Sequence, residues 1–536
     1  MATGRLKHAS TEQDGGFLAG CIHWSWVTLV ITSLLQCILF WSLTNLMAIL
    51  CILFCWVVIT KFFLKAPVLG SYPFSAFLVI GFAVTQFYFP VVFTLLEGKP
   101  VVYNLTLPYD VFLHSVLALI ILVISHSIYK IISTPLLKRI RLLLIKGSFF
   151  RPPADLQVWL MGSIGLLAMF YVYFYSPSVS REVSGAGDKF IQGLIPFTYA
   201  PFFIPFGHLY GRSQLTAKGI LPKLLVFTFI LFLVSIGMNS RSSFMLGFTS
   251  IALSFTLGLM LGIIKTRLFT IRNLILAGIV VWIFTGPMAD LGKAMVVVRS
   301  QRSEISRLDL VTETFRVFTN KEALGKFTDP ETWNSGDWDE TYLNNIFLAR
   351  FSNLKFNDLS LIQATKIDSH SSSVYYYSIA RIWATFPAPV LNTFDIEVDK
   401  SLVNGSSFGD YLYFKAGAGE QVLGGMLTGH FAGTGMAAFG WWYLLILGIG
   451  MIPIFLLFDV FFMKNDSGFS SSGTKHQTRL YFSLCGLMNL TPVFMFLPAE
   501  SVITIATFLI RGWIQIIFLY WVLYQITRRL NSLFRR

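Results

Sequence analysis

At 536 residues, 55% apolar and only 13% charged, the chain is too apolar for a soluble multidomain enzyme or a disordered segment. The formal charge of +14 is not a nucleic-acid footprint. Residues 291–430 hold 13 basic against 16 acidic side chains, so the positive excess lies in the other connections, where it faces anionic lipid headgroups.

In chain order, residues 1–22 are polar and read as a cytoplasmic N-terminal segment, with no cleavable leader expected before the first span. Apolar runs follow at 23–42, 43–62, 71–95, 109–132, 155–177, 190–209, 222–239, 243–264 and 273–290, and again at 433–463, 480–498 and 501–524. Each approaches or exceeds the roughly 20 residues that cross hydrocarbon as a helix. Backbone groups in lipid must be satisfied internally, and the runs are too long and uniform for barrel strands. The expected fold is therefore an all-α polytopic membrane protein of about 12 transmembrane helices. Residues 23–290 carry nine of them, 433–524 carry three, and 525–536 form a basic tail.

Lys and Arg set the orientation. Lys130, Lys138, Arg139, Arg141, Lys146 and Arg151 fill one connection; Arg212, Lys218 and Lys223 mark a second; Lys265, Arg267 and Arg272 a third; Lys464, Lys475 and Arg479 a fourth. With twelve spans these fall on the side of both termini, which places the termini in the cytoplasm and residues 291–432 outside. That stretch is a large external, periplasmic loop domain.

Within it, Ile305, Leu308, Val311, Phe315 and Phe318 recur at helical spacing, predicting an amphipathic helix. Residues 327–341, rich in Asp, Glu and Trp, predict an exposed turn-rich loop. A helix is expected over 342–366, and beyond Tyr375 another apolar-polar segment runs to Trp383, broken by Pro387 and Pro389. The five cysteines sit in or beside spans and read as buried apolar thiols. No metal centre and no cofactor are expected.

Three arginines stand out. Arg241 lies in a short outer connection between the seventh and eighth spans, beside Asn239 and three serines. Arg350 and Arg381 are each embedded among apolar residues. A cation near bilayer depth marks either an ion pair or a substrate pathway, and a guanidinium suits a phosphate by binding two oxygens. His430, at the mouth of the tenth span, is a candidate general base or a helix-start residue without chemistry, with Glu420 and Asp410 as nearby carboxylates. The aromatics, including Tyr375, Tyr376, Tyr377, Trp383 and Tyr411, fit an interfacial belt, or sugar stacking within the loop.

At these residues the chain resembles the Wzy-type oligosaccharide repeat-unit polymerases of bacterial surface-polysaccharide assembly (O-antigen, capsule, exopolysaccharide). Asn239-Ser-Arg-Ser-Ser is similar to the family's outer Arg turn, and Arg350-Phe-Ser-Asn-Leu to its loop segment. Ile379-Ala-Arg-Ile-Trp before Pro387 is similar to its Ile-Pro-Arg-x-x-Trp-Pro segment, with Ala380 in place of the Pro. Gly433-Thr-Gly-Met-Ala-Ala-Phe-Gly440 resembles its Gly-Glu-Ala-Tyr-x-Asn-Phe-Gly, with Thr434 where the Glu is usual.

The resemblance implies a membrane glycosyltransferase of GT-C-like architecture in the bacterial inner membrane. It would join undecaprenyl-pyrophosphate-linked oligosaccharide repeat units at the outer face, with a flippase and a chain-length regulator as partners. Arg241, Arg350 and Arg381 are then expected to converge on the pyrophosphate, while His430 or Glu420 handles the acceptor hydroxyl. An O-antigen ligase-like transferase shares the architecture. A transporter would show internal repeats and broken helices in corresponding halves, and no repeat is found.

Overall fold

The computed structural model describes residues 9–175, 186–212, 219–238, 240–265, 270–298, 307–320, 338–368, 371–465 and 479–533. The chain is a mostly helical multi-pass membrane protein, with ten helices among the described residues long and apolar enough to cross a bilayer.

The first half is a series of helical hairpins. Helix α1 (Ala9–Leu39) turns at Ser42, whose side chain accepts from Asn45 N, into α2 (Leu43–Phe62). Helix α3 (Pro73–Ala83) widens through a π-turn, Val84–Tyr88, into α4 (Phe89–Leu96). Pro90 lacks an N–H, so the ladder loosens where that donor is missing. Helix α5 (Pro108–Ile132) crosses back, and the basic, amphipathic α6 (Thr134–Lys146) lies beyond its end.

Next come α7 (Asp155–Phe170) and α8 (Ala186–Leu194). From Ile195 to Tyr210 the chain continues as a long 3-10 helix with Pro201 and Pro205 inside it. Pro196, Pro201 and Pro205 remove donors at close to helical spacing, so an α-ladder cannot form. Its backbone lies directly on α7, where a Cβ at Gly165 would collide with Thr198. Helices α9 (Ile220–Gly237), α10 (Arg241–Met260), α11 (Ile271–Thr285) and α12 (Pro287–Val297) complete this half.

The described parts of residues 307–430 include short helices against one end of the bundle: α13 (Arg307–Thr319), α14 (Ile346–Ala349), α15 (Leu354–Lys366), α16 (Ser373–Trp383), α17 (Lys400–Gly405) and α18 (Phe408–Tyr413). The amphipathic pattern over 305–318 is helical as α13 from Arg307 onward. The single helix expected over 342–366 is instead two, broken at Arg350–Asn353, where Asn353 N donates to Thr85 O. Most of the acidic loop 327–341 lies outside the described residues; at its end Trp338 is 2% exposed, packed on Leu359 and Tyr413, and so is not part of an exposed loop.

The chain returns through α19 (Phe431–Phe439) and, after a bend at Gly440, α20 (Trp442–Asp459). An antiparallel hairpin, β1 (Phe462–Asn465) with β2 (Arg479–Phe482), follows. The run 480–498 is not one helix. It is β2 and two five-residue helices, α21 (Leu484–Met488) and α22 (Leu490–Phe494), interrupted at Asn489. Such broken backbone at bilayer depth requires a protein cover, and α3 supplies it: a Cβ at Gly81 would collide with the Phe494 carbonyl. Helix α23 (Thr504–Thr507), a π-turn at Phe508–Gly512 and α24 (Trp513–Leu533) end the described chain.

Two ends of the bundle differ in chemistry. At one, Arg141 donates to Asp459 O (2.9 Å), Arg212 pairs with Asp155, Ser483 bonds Phe149 O, and Gln157 bonds Tyr524 O near the C-terminal end of α24. The Asp459 carboxylate accepts from Phe74 N, Ser75 N and Tyr129 OH, which ties α3, α5 and α20 together. The basic connections thus gather at one end. At the other, Asp358 accepts from Thr106 N and Leu107 N, Lys355 bonds both Asp358 and Asn104 O, and Glu97 accepts from Asn344 N and Asn345 N. These bonds clamp the 338–366 segment onto the α4–α5 connection.

Replacing Gly81 by Ala should force α3 off α22. Overpacking of this kind costs about 1–3 kcal/mol, read as a lowered unfolding temperature in detergent. Gly278→Ala, where a Cβ meets nothing within 4 Å, is the control and should melt like the parent protein. Equal melting of all three would show that the α3–α22 contact is not tight.

Candidate functional site

At the end opposite the basic connections, α16, α18, α19 and the 496–503 turn come together. Asp410 organises them. Ser407 Oγ accepts from Asp410 N (2.9 Å) and Asp410 Oδ2 from Ser407 N (3.0 Å), a reciprocal cap that starts α18. The same fully buried carboxylate also accepts from Gly424 N, Met426 N and Leu427 N, the last at 2.8 Å. Four amide donors stand in for a counter-ion and fold the 424–427 loop back onto α18.

Arg381 projects from α16 onto this assembly. Its Nη1 donates to Tyr377 OH (2.8 Å) and Ser406 O (2.7 Å), and its guanidinium lies 4.6 Å from the Phe408 ring centre. Tyr377 in turn stacks on Tyr411 at 3.8 Å and 4°. All these partners are neutral. No ion pair is made to Arg381 among the described residues.

The acidic partner in this region is Glu500, at the end of the turn that follows α22. Its carbonyl accepts from Thr434 Oγ1 (3.0 Å), and Phe431 N donates to Ala499 O, which fixes the turn against the start of α19. The Glu500 side chain is exposed, with protein packed around part of it. Burial raises its carboxyl above the ordinary value of 4.5; the Arg381 charge opposes that rise and the Asp410 charge adds to it.

His430 is placed differently. It is 1% exposed and caps α19, its Nδ1 accepting from Ala432 N, while Nε2 lies 3.0 Å from the Gln86 amide. With Nδ1 accepting, the ring proton belongs on Nε2, and the Gln86 oxygen turned toward it satisfies an otherwise partnerless Oε1. Burial, then the His114 charge, pushes the imidazole down to about 3. The ring is neutral and both nitrogens are engaged by protein.

The chain matches no family model, no curated protein and no solved structure.

Of the other expected residues, Glu420 is exposed, at the start of a three-residue turn beyond α18. Arg350 is exposed at the end of α14, next to Phe351, whose ring meets Phe89 edge-on. Arg241 is the first residue of α10, and its side chain lies outside the described residues, as does Asn239. An apolar cavity lined by Ser235, Phe244, Leu291 and Phe347 joins the start of α10 to α14, so Arg241 and Arg350 come from neighbouring elements. Arg350 and Arg381 share no hydrogen-bond partner among the described residues. Sequence reasoning missed Glu500, which follows an apolar run and carries no motif. Its signal is spatial, through Thr434.

Because His430 titrates near 3 when folded and near 6.5 when unfolded, its contribution to stability is complete above pH 6.5 and is lost as pH falls toward 3. The slope from this one group is about 1.4 kcal/mol per pH unit. His430→Gln should remove that slope, measured as unfolding free energy between pH 4 and 8 for both proteins. Parallel curves would contradict the buried neutral imidazole.

Proposed function

We propose that the protein is a membrane glycosyltransferase joining polyprenyl-pyrophosphate-linked oligosaccharide repeat units. The reaction would take place at the bundle end away from the basic connections. By the bias of Lys and Arg toward the cytoplasm, that end faces outward, the periplasmic side of a bacterial inner membrane. The GT-C-like architecture, the external domain at 291–432 and the lipid-linked substrate are parts of this proposal.

The observation that carries it is Arg381, a cation whose hydrogen-bond partners are neutral, near enough to Glu500 for its charge to act on that carboxyl. Transfer needs two things here: stabilisation of a departing diphosphate and removal of a hydroxyl proton. The donor sugar's anomeric carbon loses its bond to the diphosphate as it bonds the acceptor oxygen. The bonding pair leaves with the diphosphate, whose charge Arg381 meets. The hydroxyl proton passes to the Glu500 carboxylate.

Arg350 and Arg241 serve the same diphosphate from the α14 and α10 side. His430, its nitrogens occupied, positions α19 and the 499–500 turn. The Arg381 charge acts on the Glu500 carboxyl, which favours Glu500 over Glu420 for the proton transfer.

Chain growth from a lipid-linked repeat unit, followed on gels with the full-length protein in nanodiscs, tests this reading. Glu500→Gln should lower the rate about 10²–10⁴-fold. Arg381→Ala should do likewise and Arg381→Lys partly restore it. In the parent protein the rate should fall on the acid side of a pKa above 4.5, and Glu500→Gln should abolish that limb. Full activity from both Glu500→Gln and Arg381→Ala would overturn the assignment. Transfer of finished polymer to another acceptor, without growth, would identify a ligase.

A further inference from the structure

A second group of cations comes from α8, α17 and the π-turn that leads into α24. Helices α8 and α24 are in contact at Gly193, where the missing side chain admits the Gln515 amide and Leu519. One helical turn earlier on each strand of chain stand Lys189 and Arg511. Arg511 Nε donates to Gln515 Oε1 (3.2 Å), which lays its guanidinium along that same contact. Lys400, the first residue of α17, arrives from the other side, its Nζ donating to Phe386 O (2.8 Å). Helix α17 packs on α16, and α16 on α23, just ahead of Arg511.

The charges sense one another. Burial and then the Lys189 and Arg511 charges hold the Lys400 ammonium below its ordinary value. Asp399, next in sequence, is committed elsewhere: its Oδ1 accepts from Ser401 N and Leu402 N to cap α17. No ion pair among the described residues neutralises any of the three cations.

Lys189 opens one membrane-spanning segment and Arg511 sits in the second turn of another, so both stand at headgroup depth. Three like charges with no ion pair among the described residues repel one another, and an anion would supply their counter-charge. We infer that Lys189, Lys400 and Arg511 form a binding site for a phosphate or diphosphate group presented at the membrane rim. Arg511 supplies the planar two-oxygen fork, and the two ammonium groups act as point charges. Identifying that group with the diphosphate of a polyprenyl substrate rests on the function proposed above; the phosphate chemistry does not.

The test uses the full-length protein in phosphatidylcholine nanodiscs. Three probes are used: farnesyl diphosphate, inorganic pyrophosphate, and phosphatidylglycerol mixed into the disc as a competitor. Farnesyl diphosphate affinity should fall at least tenfold in a Lys189→Gln, Lys400→Gln, Arg511→Gln triple variant, and about threefold in each single variant. Arg511→Lys should keep most of it. Thermal unfolding and gel filtration establish folding, and the single variants carry the test if the triple does not fold.

Equal binding of pyrophosphate assigns the site to the diphosphate itself. Displacement by phosphatidylglycerol assigns it to bilayer phospholipid; either result supports a phosphate site. Affinities unchanged in every variant overturn it. Binding that depends on the three cations in a protein that never extends a chain would sink the polymerase reading and leave this site standing.

Discussion

The arrangement at the bundle end away from the basic connections depends on one buried carboxylate, which makes no ion pair among the described residues. Asp410 is satisfied by four backbone N–H groups, two loops' worth of chain drawn to one point. On one side it fixes Ser407, and with it the Ser406 carbonyl that receives Arg381. On the other it fixes Leu427, from which three residues lead to His430 and the start of α19, whose Thr434 holds the Glu500 carbonyl. A charged acceptor bonds amides more strongly than a neutral one, so substituting Asp410 would loosen both groups at once. The positions of cation and acid are two outcomes of a single local bond set.

The bilayer imposes the second constraint. Length and apolarity mark the crossings because hydrocarbon thickness and backbone satisfaction admit little else, and the runs at 43–62, 109–132 and 222–239 became helices close to their expected bounds. Among the crossings that departed from that pattern, two carry prolines. The 3-10 helix from Ile195 could be foreseen in its prolines, and the break at Asn489 in the nearby Pro492. Hydropathy averages over such residues and so hides them. What no single-chain pattern reveals is the cover: α3 meets the broken segment through Gly81, a residue that in sequence is one more glycine in a helix.

The same limit explains which parts of the candidate site were legible. Arg381 stood out because a lone guanidinium among Ile, Ala and Trp needs a reason, and the structure supplies neutral partners where a carboxylate is the common one. His430 stood out too, at the mouth of its helix, yet burial makes it a capping residue with both nitrogens engaged. Glu500 follows Phe496-Leu-Pro-Ala at the end of an apolar run and is brought to the site by contacts with residues 431 and 434. Sequence separation of that size erases the signal; packing restores it.

The separation between Arg381 and Glu500 carries its own argument. Were they in direct contact, each would neutralise the other. They instead feel each other's charge without an ion pair. Two hydrogen bonds and an aromatic face hold the guanidinium in place, so little rearrangement is needed when an anion arrives. For unit charges 4 Å apart near a protein surface the attraction is about 4 kcal/mol before desolvation. On the function proposed above, a diphosphate would supply the counter-charge that Arg381 lacks. In that proposed reaction the charge of the departing diphosphate would grow, and the interaction would strengthen along the reaction coordinate rather than before it.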